Sequence, residues 1–263
     1  MRMTRMYKIW QILYPVGIYY VVSSLVYFVL GRVFGEAKES YMLRQLLCAV
    51  STIPFVYSFY RQDGQFEEIV YGKKKLTLNW ESIWGALFSI VSAILLGIGV
   101  NNVIAMTPLI QMSEGFVEAN DSFFAGRIAY ELLGSCLIIP IAEELLYRGV
   151  VYRRLRVLMG AAPAIILSAG LFGLMHFNLV QFLYAGVLGL LLAFLLERTG
   201  FLYAPILGHI AANVAAVVRQ ETGWLSFSYE LDPAGIGFTA AVLLAAGILV
   251  RCSVKGCCRE EKR

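Results

Sequence analysis

Ser82-Ile-Trp-Gly-Ala-Leu-Phe-Ser-Ile-Val-Ser-Ala-Ile-Leu-Leu-Gly-Ile-Gly-Val-Asn-Asn-Val-Ile-Ala-Met106 contains no charged residue. As an α-helix, a run of this length covers the ~30 Å hydrocarbon core of a bilayer. The apolar residues are continuous and do not alternate, which excludes a strand of a membrane barrel, where lipid-facing and lumen-facing positions alternate. Seven further apolar segments lie on either side: Trp10–Leu30, Leu43–Tyr60, Ile128–Tyr147, Ala161–Phe177, Val180–Leu196, Phe201–Val218 and Ala234–Val250. The reading is an all-α polytopic membrane bundle of about eight transmembrane helices. At 263 residues, eight spans leave only short loops, so 1–263 is read as a single membrane-embedded domain.

Composition agrees. The chain is 59% hydrophobic and 15% charged, with mean hydropathy +0.70, whereas a soluble domain carries about 25% charged residues. An ordinary soluble protein and a disordered one are both excluded. The net charge of +4 suits basic cytoplasmic loops and gives no ground for a nucleic-acid partner. The first apolar stretch follows Arg2, Arg5 and Lys8, but it is too long for a signal peptide and has no small-residue cleavage site after it.

Lys and Arg set the orientation. With the N-terminus inside, the inner segments hold Arg2, Arg5, Lys8, Arg61, Lys73, Lys74, Lys75, Arg148, Arg153, Arg154, Arg156, Arg198, Arg251, Lys255, Arg259, Lys262 and Arg263. The outer segments hold Arg32, Lys38, Arg44, Arg127 and Arg219. Seventeen against five favours an even number of spans with both termini cytoplasmic. Val150–Met159, with three arginines among apolar residues, is expected to lie along the inner interface. The outer loop 107–127 is acidic, with Glu114, Glu118 and Asp121. Of the five cysteines, Cys48 and Cys136 read as packing residues. Cys252, Cys257 and Cys258 in the basic tail form neither a disulfide framework nor a zinc pattern.

Ionisable groups inside membrane spans are costly, so each is a candidate for function. The fourth segment ends in Ile141-Ala-Glu-Glu-Leu-Leu-Tyr-Arg148. Glu144 and Arg148 are four apart and share a helix face, the spacing of an ion pair. Glu143 projects from another stripe, above Tyr147. This division makes Glu144–Arg148 structural and assigns the chemistry to Glu143, since desolvation tunes a carboxylate toward general-base work. The only two histidines, His176 and His209, both fall in apolar runs. Phe172 lies one turn below His176, and Asn213 shares a face with His209, where the pair could donate hydrogen bonds to an oxyanion. Gly208 would let another helix approach closely.

Each feature also has a plain structural reading. The Glu-Glu-x-x-x-Arg run could be a helix end whose side chains snorkel to water, a lone histidine is often a packing residue, and Asn213 could be interhelical glue. Gly186 and Gly189 read as a close-packing seam. Asn101 and Asn102 read as interfacial. The combination carries more than the parts, because the three groups occupy three segments, each with a partner at i+4.

Glu143-Glu144-Leu-Leu-Tyr-Arg148, Phe172-Gly-Leu-Met-His176 and His209-Ile-Ala-Ala-Asn213, in that order, resemble the CPBP family of intramembrane proteases, which includes CAAX proteases and bacteriocin-processing (Abi) enzymes. The family-like core spans about 128–218. The resemblance implies an eight-helix membrane fold and hydrolysis of a peptide bond without a covalent intermediate. It implies that Glu143 with His176 activates water, that His209 with Asn213 holds the oxyanion, and that Glu144, Arg148 and Phe172 support the site. No cofactor is expected. Glu143, His176 and His209 are also a hydrolytic zinc ligand set, so a divalent metal stays open at this point. The expected partners are the bilayer and a membrane-tethered peptide or protein: a bacteriocin leader, a peptide pheromone precursor or a prenylated C-terminus. The expected location is a bacterial cytoplasmic membrane. The alternatives are a non-proteolytic scaffold or self-immunity factor acting by binding, and a transporter using the same residues as a relay. On these boundaries Glu143 sits near the inner end of its span and His176 near the outer end of the next. A shared site therefore requires the fifth helix to start deeper or to tilt.

Overall fold

In a computed structural model, residues 5–71 and 80–257 are described. Arg2, Lys73, Lys74, Lys75, Cys258, Arg259, Lys262 and Arg263 lie outside the described residues. Nine helices occur among the described ones: α1 Arg5–Phe34, α2 Tyr41–Tyr71, α3 Trp80–Ala105, α4 Glu114–Phe123, α5 Ile128–Met159, α6 Ala161–Leu174, α7 Leu179–Thr199, α8 Tyr203–Thr222 and α9 Pro233–Cys257. Every expected apolar segment forms a helix, so the all-α membrane bundle holds.

By length and apolarity, α1, α2, α3, α7 and α9 can each cross a membrane. A sixth span results if α4 and α5, bent by 113°, count as one. The expected eight is thus not reached on this criterion, for two physical reasons. α6 has 14 residues, about 21 Å of helix against a ~30 Å core. The apolar surface of α8 is diluted by His209, Asn213, Arg219, Gln220 and Glu221.

Two boundaries need correction. The fifth apolar segment continues to Phe177, but its helix ends at Leu174, which leaves His176 in the turn beyond it. The fourth apolar segment ends at Tyr147 with a separate interfacial stretch expected after it, but α5 runs on to Met159. Within α5, Leu132–Ile138 and Leu145–Tyr152 are wide π-type turns on either side of the α-helical Ile139–Glu144. Pro140 has no N–H to donate and crowds the preceding turn, which accounts for the first widening.

The chain divides into two compact units, Met1–Thr77 with Asp121–Ser168 and Leu78–Asn120 with Ala169–Arg263. In the first, α5 packs on α1 and α2. Gly134 brings α5 onto α2, where an added Cβ would stand 3.2 Å from Met42 Cε and 3.5 Å from Leu46 Cβ. Arg154 ties the end of α5 to both neighbours. Its Nε and Nη2 donate to the Asp63 carboxylate at 2.7 and 3.0 Å, Nη2 also donates to Tyr14 Oη at 3.2 Å, and Nη1 donates to the Gln11 carbonyl.

In the second unit α3 packs against α7, α8 and α9 over a core of Ala93, Leu188, Leu191, Leu192, Leu195 and Ala212. Asn102, read as interfacial, is buried among the helices of this unit. Its Nδ2 donates to Thr239 Oγ1 at 2.9 Å, and its Oδ1 accepts from Arg219 Nη2 at 2.7 Å and from Ser228 Oγ at 3.3 Å. This network fastens α8 and α9 to α3 with a buried guanidinium.

Candidate active site

The paired glutamates belong to the first unit. Ile139–Glu144 is the α-helical stretch of α5 between its two wide turns, so Glu143 and Glu144 sit where the helix geometry changes. Such insertions are frequent at functional sites. Glu144 and Arg148 are fully buried and paired, Nη1 to Oε1 at 2.9 Å, as their spacing predicts. Burying two charges is expensive unless each remains partnered, so the pair is a fixed feature of the interior of α5. Glu143 is only partly buried. It lies within electrostatic reach of the phenols of Tyr19, Tyr20 and Tyr147, and the hydroxyls of Tyr20 and Tyr147 are 3.2 Å apart. Tyr19 and Tyr20 are missed by the sequence reading. Their only signal is an aromatic pair on the first apolar segment, which by composition reads as lipid-facing or core.

The second unit holds the histidines. The Nδ1 of His176 is 2.9 Å from the carbonyl oxygen of Phe172. A carbonyl can only accept, so Nδ1 is the donor and Nε2 is the ring nitrogen not used by this bond. The phenyl ring of Phe172 meets both imidazoles edge-on, His176 at 5.1 Å and 86° and His209 at 5.7 Å and 79°. Phe172 is buried, and its ring sets the lateral position of both histidines. The aromatic ring expected one turn below His176 is thus present, and it touches His209 as well.

Glycine decides how closely these helices approach. A Cβ on Gly208, next to His209, would stand 3.2 Å from the Ser89 carbonyl and 3.3 Å from Ala93 Cβ. α8 therefore lies against α3 at the residue beside the imidazole. A Cβ on Gly173 would stand 2.8 Å from the Phe182 carbonyl and 3.3 Å from Gly186 Cα. Gly186, expected in a close-packing seam, takes part in this contact. Gly186 supplies backbone for Gly173 to lie on, while a Cβ of its own would meet nothing within 4 Å. Asn213 is half-buried on α8, one turn beyond His209. The structure therefore brings together Glu144 with Arg148 in one unit, and Phe172 with His176 and His209 in the other.

The donor set can be tested against a metal. Among the described residues no three of the His, Cys, Asp and Glu side chains are grouped so as to hold an ion.

Residues 125–215 match the family described as Type II CAAX prenyl endopeptidase Rce1-like. This interval contains all three motifs. Two curated relatives are similar. YdiL of Bacillus subtilis (strain 168), named as a membrane peptidase, is 29% identical over 89 residues, covering 34% of this chain and 36% of that protein. CAAX prenyl protease 2 of Homo sapiens is 32% identical over 97 residues, covering 29% of this chain and 30% of that protein. The matched region thus spans about a third of the length of each relative. No solved structure matches the chain. The resemblance to the CPBP family drawn from the motifs is borne out over this region.

Proposed function

Taking residues 125–215 as the core of a CPBP-family protein, we propose that this chain is an intramembrane endopeptidase acting on a membrane-associated protein or peptide. The observation that carries the reading is His176. Its Nδ1 is committed to the Phe172 carbonyl, which leaves Nε2 as the nitrogen to take a proton from water, and the same Phe172 ring also touches His209.

In the proposed reaction Glu143 and His176 take a proton from water as its oxygen attacks the scissile carbonyl carbon. His209 and Asn213 donate hydrogen bonds to the oxygen that becomes negative. The tetrahedral species collapses with cleavage of the C–N bond, and the proton passes to the departing amine. No covalent acyl-enzyme forms and no metal takes part. Glu144 and Arg148 hold α5 in its wide-turned shape. The orientation that accompanies this reading has both termini in the cytoplasm of a bacterial cell.

The test is cleavage in proteoliposomes of two fluorogenic peptides, one ending in a prenylated cysteine motif and one amphipathic and unprenylated. Wild type and Glu143→Gln are compared at matched abundance. Loss of cleavage in a folded variant supports the reading, and the preferred peptide identifies the substrate class. Full cleavage by Glu143→Gln would reject it and favour a scaffold or immunity factor that acts by binding.

A further inference from the structure

His176 does not stand on a helix. α6 ends at Leu174, and a tighter turn follows it, in which His176 N donates to the Gly173 carbonyl at 3.1 Å and Phe177 N to the Leu174 carbonyl at 3.2 Å. The next residue, Phe177, has φ +58°, a left-handed conformation that a bulky side chain rarely adopts and that persists only where its surroundings impose it. Its side chain is 77% exposed. The left-handed residue calls for a constraint beyond these backbone bonds.

Asn178 supplies one. Its Oδ1 accepts from Gln181 N at 2.8 Å and caps the first turn of α7. Its Nδ2 donates to the carbonyl oxygen of His176 at 3.1 Å and also to Gln181 Oε1. Asparagine has two amide N–H donors and one carbonyl acceptor, and all three directions are used. Capping α7 needs only the acceptor. The donor arm reaches back across Phe177 to His176. The histidine is thereby held at both ends, its side chain by the Phe172 carbonyl and its main chain by Asn178.

Resting on the proteolytic reading above, we infer that Asn178 is a positioning residue that holds His176 in its working orientation. It touches neither substrate nor the reacting atoms and acts through the His176 peptide. Asparagine is suited to this because it caps and donates at once. Serine, threonine and aspartate cap comparably well, and an ionised aspartate has the same shape with no donor.

The experiment uses Asn178→Asp in the full-length protein, with Asn178→Ala as the variant lacking both arms. The two peptides named above are the probes, in proteoliposomes, with Glu143→Gln and His176→Ala measured alongside. The capping acceptor survives in Asn178→Asp, so its membrane abundance and thermal midpoint should match wild type. Its kcat should fall about tenfold, as expected when a catalytic group is displaced by a fraction of an ångström, while KM stays within about twofold. Wild-type kcat in Asn178→Asp, with Glu143→Gln and His176→Ala inactive, would overturn this inference and leave the protease reading standing. A change confined to KM, or a loss matched by lower stability, would overturn it equally. Activity retained in Glu143→Gln and His176→Ala would reject the protease reading and this inference with it.

Discussion

Gly173→Ala tests how tightly the histidine-bearing turn is located. The added methyl would stand 2.8 Å from the Phe182 carbonyl oxygen and 3.1 Å from Phe182 Cδ2, with Gly186 Cα at 3.3 Å. Ordinary contact begins near 3.4 Å, so α6 and α7 must separate by about 0.6 Å. Two of the three obstacles are backbone atoms and cannot rotate away. The residue before Gly173 is Phe172, whose ring touches both imidazoles, and His176 follows within one turn, so the separation is delivered to the candidate site. A 1 Å misplacement can cost about 100-fold. Half that distance should lower kcat about tenfold, and overpacking should cost roughly 1–3 kcal/mol of stability.

The assay is peptide cleavage in proteoliposomes, paired with thermal unfolding in detergent. Gly170→Ala is the control: it lies on the same helix one turn earlier, and its Cβ would meet nothing within 4 Å. Removing a helical glycine there should be silent or should stabilise by roughly 0.5–1 kcal/mol. If Gly173→Ala cleaves and melts as wild type does, the α6–α7 contact does not locate His176, and the reasoning fails.

Three further outcomes are expected. Arg148→Met strands the fully buried Glu144 carboxylate and should cost roughly 3–5 kcal/mol, seen as loss of folded protein from the membrane, whereas the double change Glu144→Met with Arg148→Met should recover much of that abundance. Asn102→Leu removes one of the two acceptors of Arg219 Nη2, leaving Ser228 Oγ, and the donor to Thr239, so it should destabilise by about 2 kcal/mol on thermal unfolding and leave the α6–α7 turn intact. Exhaustive dialysis against a strong chelator should leave peptide cleavage unchanged and the protein metal-free by elemental mass spectrometry. Restoration of lost activity by zinc would instead require a metal step.

Much of this architecture is legible because it depends on local periodicity. Charge-free runs such as 82–106 can only be helices in a bilayer, and the i+4 spacing of Glu144 with Arg148 and of Phe172 with His176 carries directly into contacts. What is not legible depends on backbone choices that leave the letters unchanged. The apolar run continues through Phe177, so hydropathy gives no sign that α6 stops at Leu174. Only Asn178, a helix-start residue, marks the turn, and it stands inside an apolar context that hides it. The wide turns of α5 likewise alter which residues share a face without altering composition, and Pro140 hints at only the first. The burial of Asn102 and the placing of Tyr19 and Tyr20 near Glu143 come from which helices pack together, and no single segment encodes that.

The two histidines share one further feature that bears on how variants should be read. Each follows a glycine at which a helix makes a close approach to a neighbour: Gly173 of α6, three residues before His176, to the Phe182 carbonyl on α7, and Gly208, next to His209, to the Ser89 carbonyl on α3. Their placement is therefore decided by one backbone against another, with little flexible side chain between to absorb a change. Cores repack around altered side chains far more readily than around altered backbone spacing. Substitutions on the outer side of α6, such as Leu174→Ala at a residue 59% exposed, should leave cleavage within about twofold, because no helix contact depends on them. A single methyl on the glycine side should not be tolerated. If both faces of α6 proved equally tolerant, the glycines in these motifs would reflect chain flexibility and not proximity, and the close-packed placement of His176 and His209 would lose its physical basis.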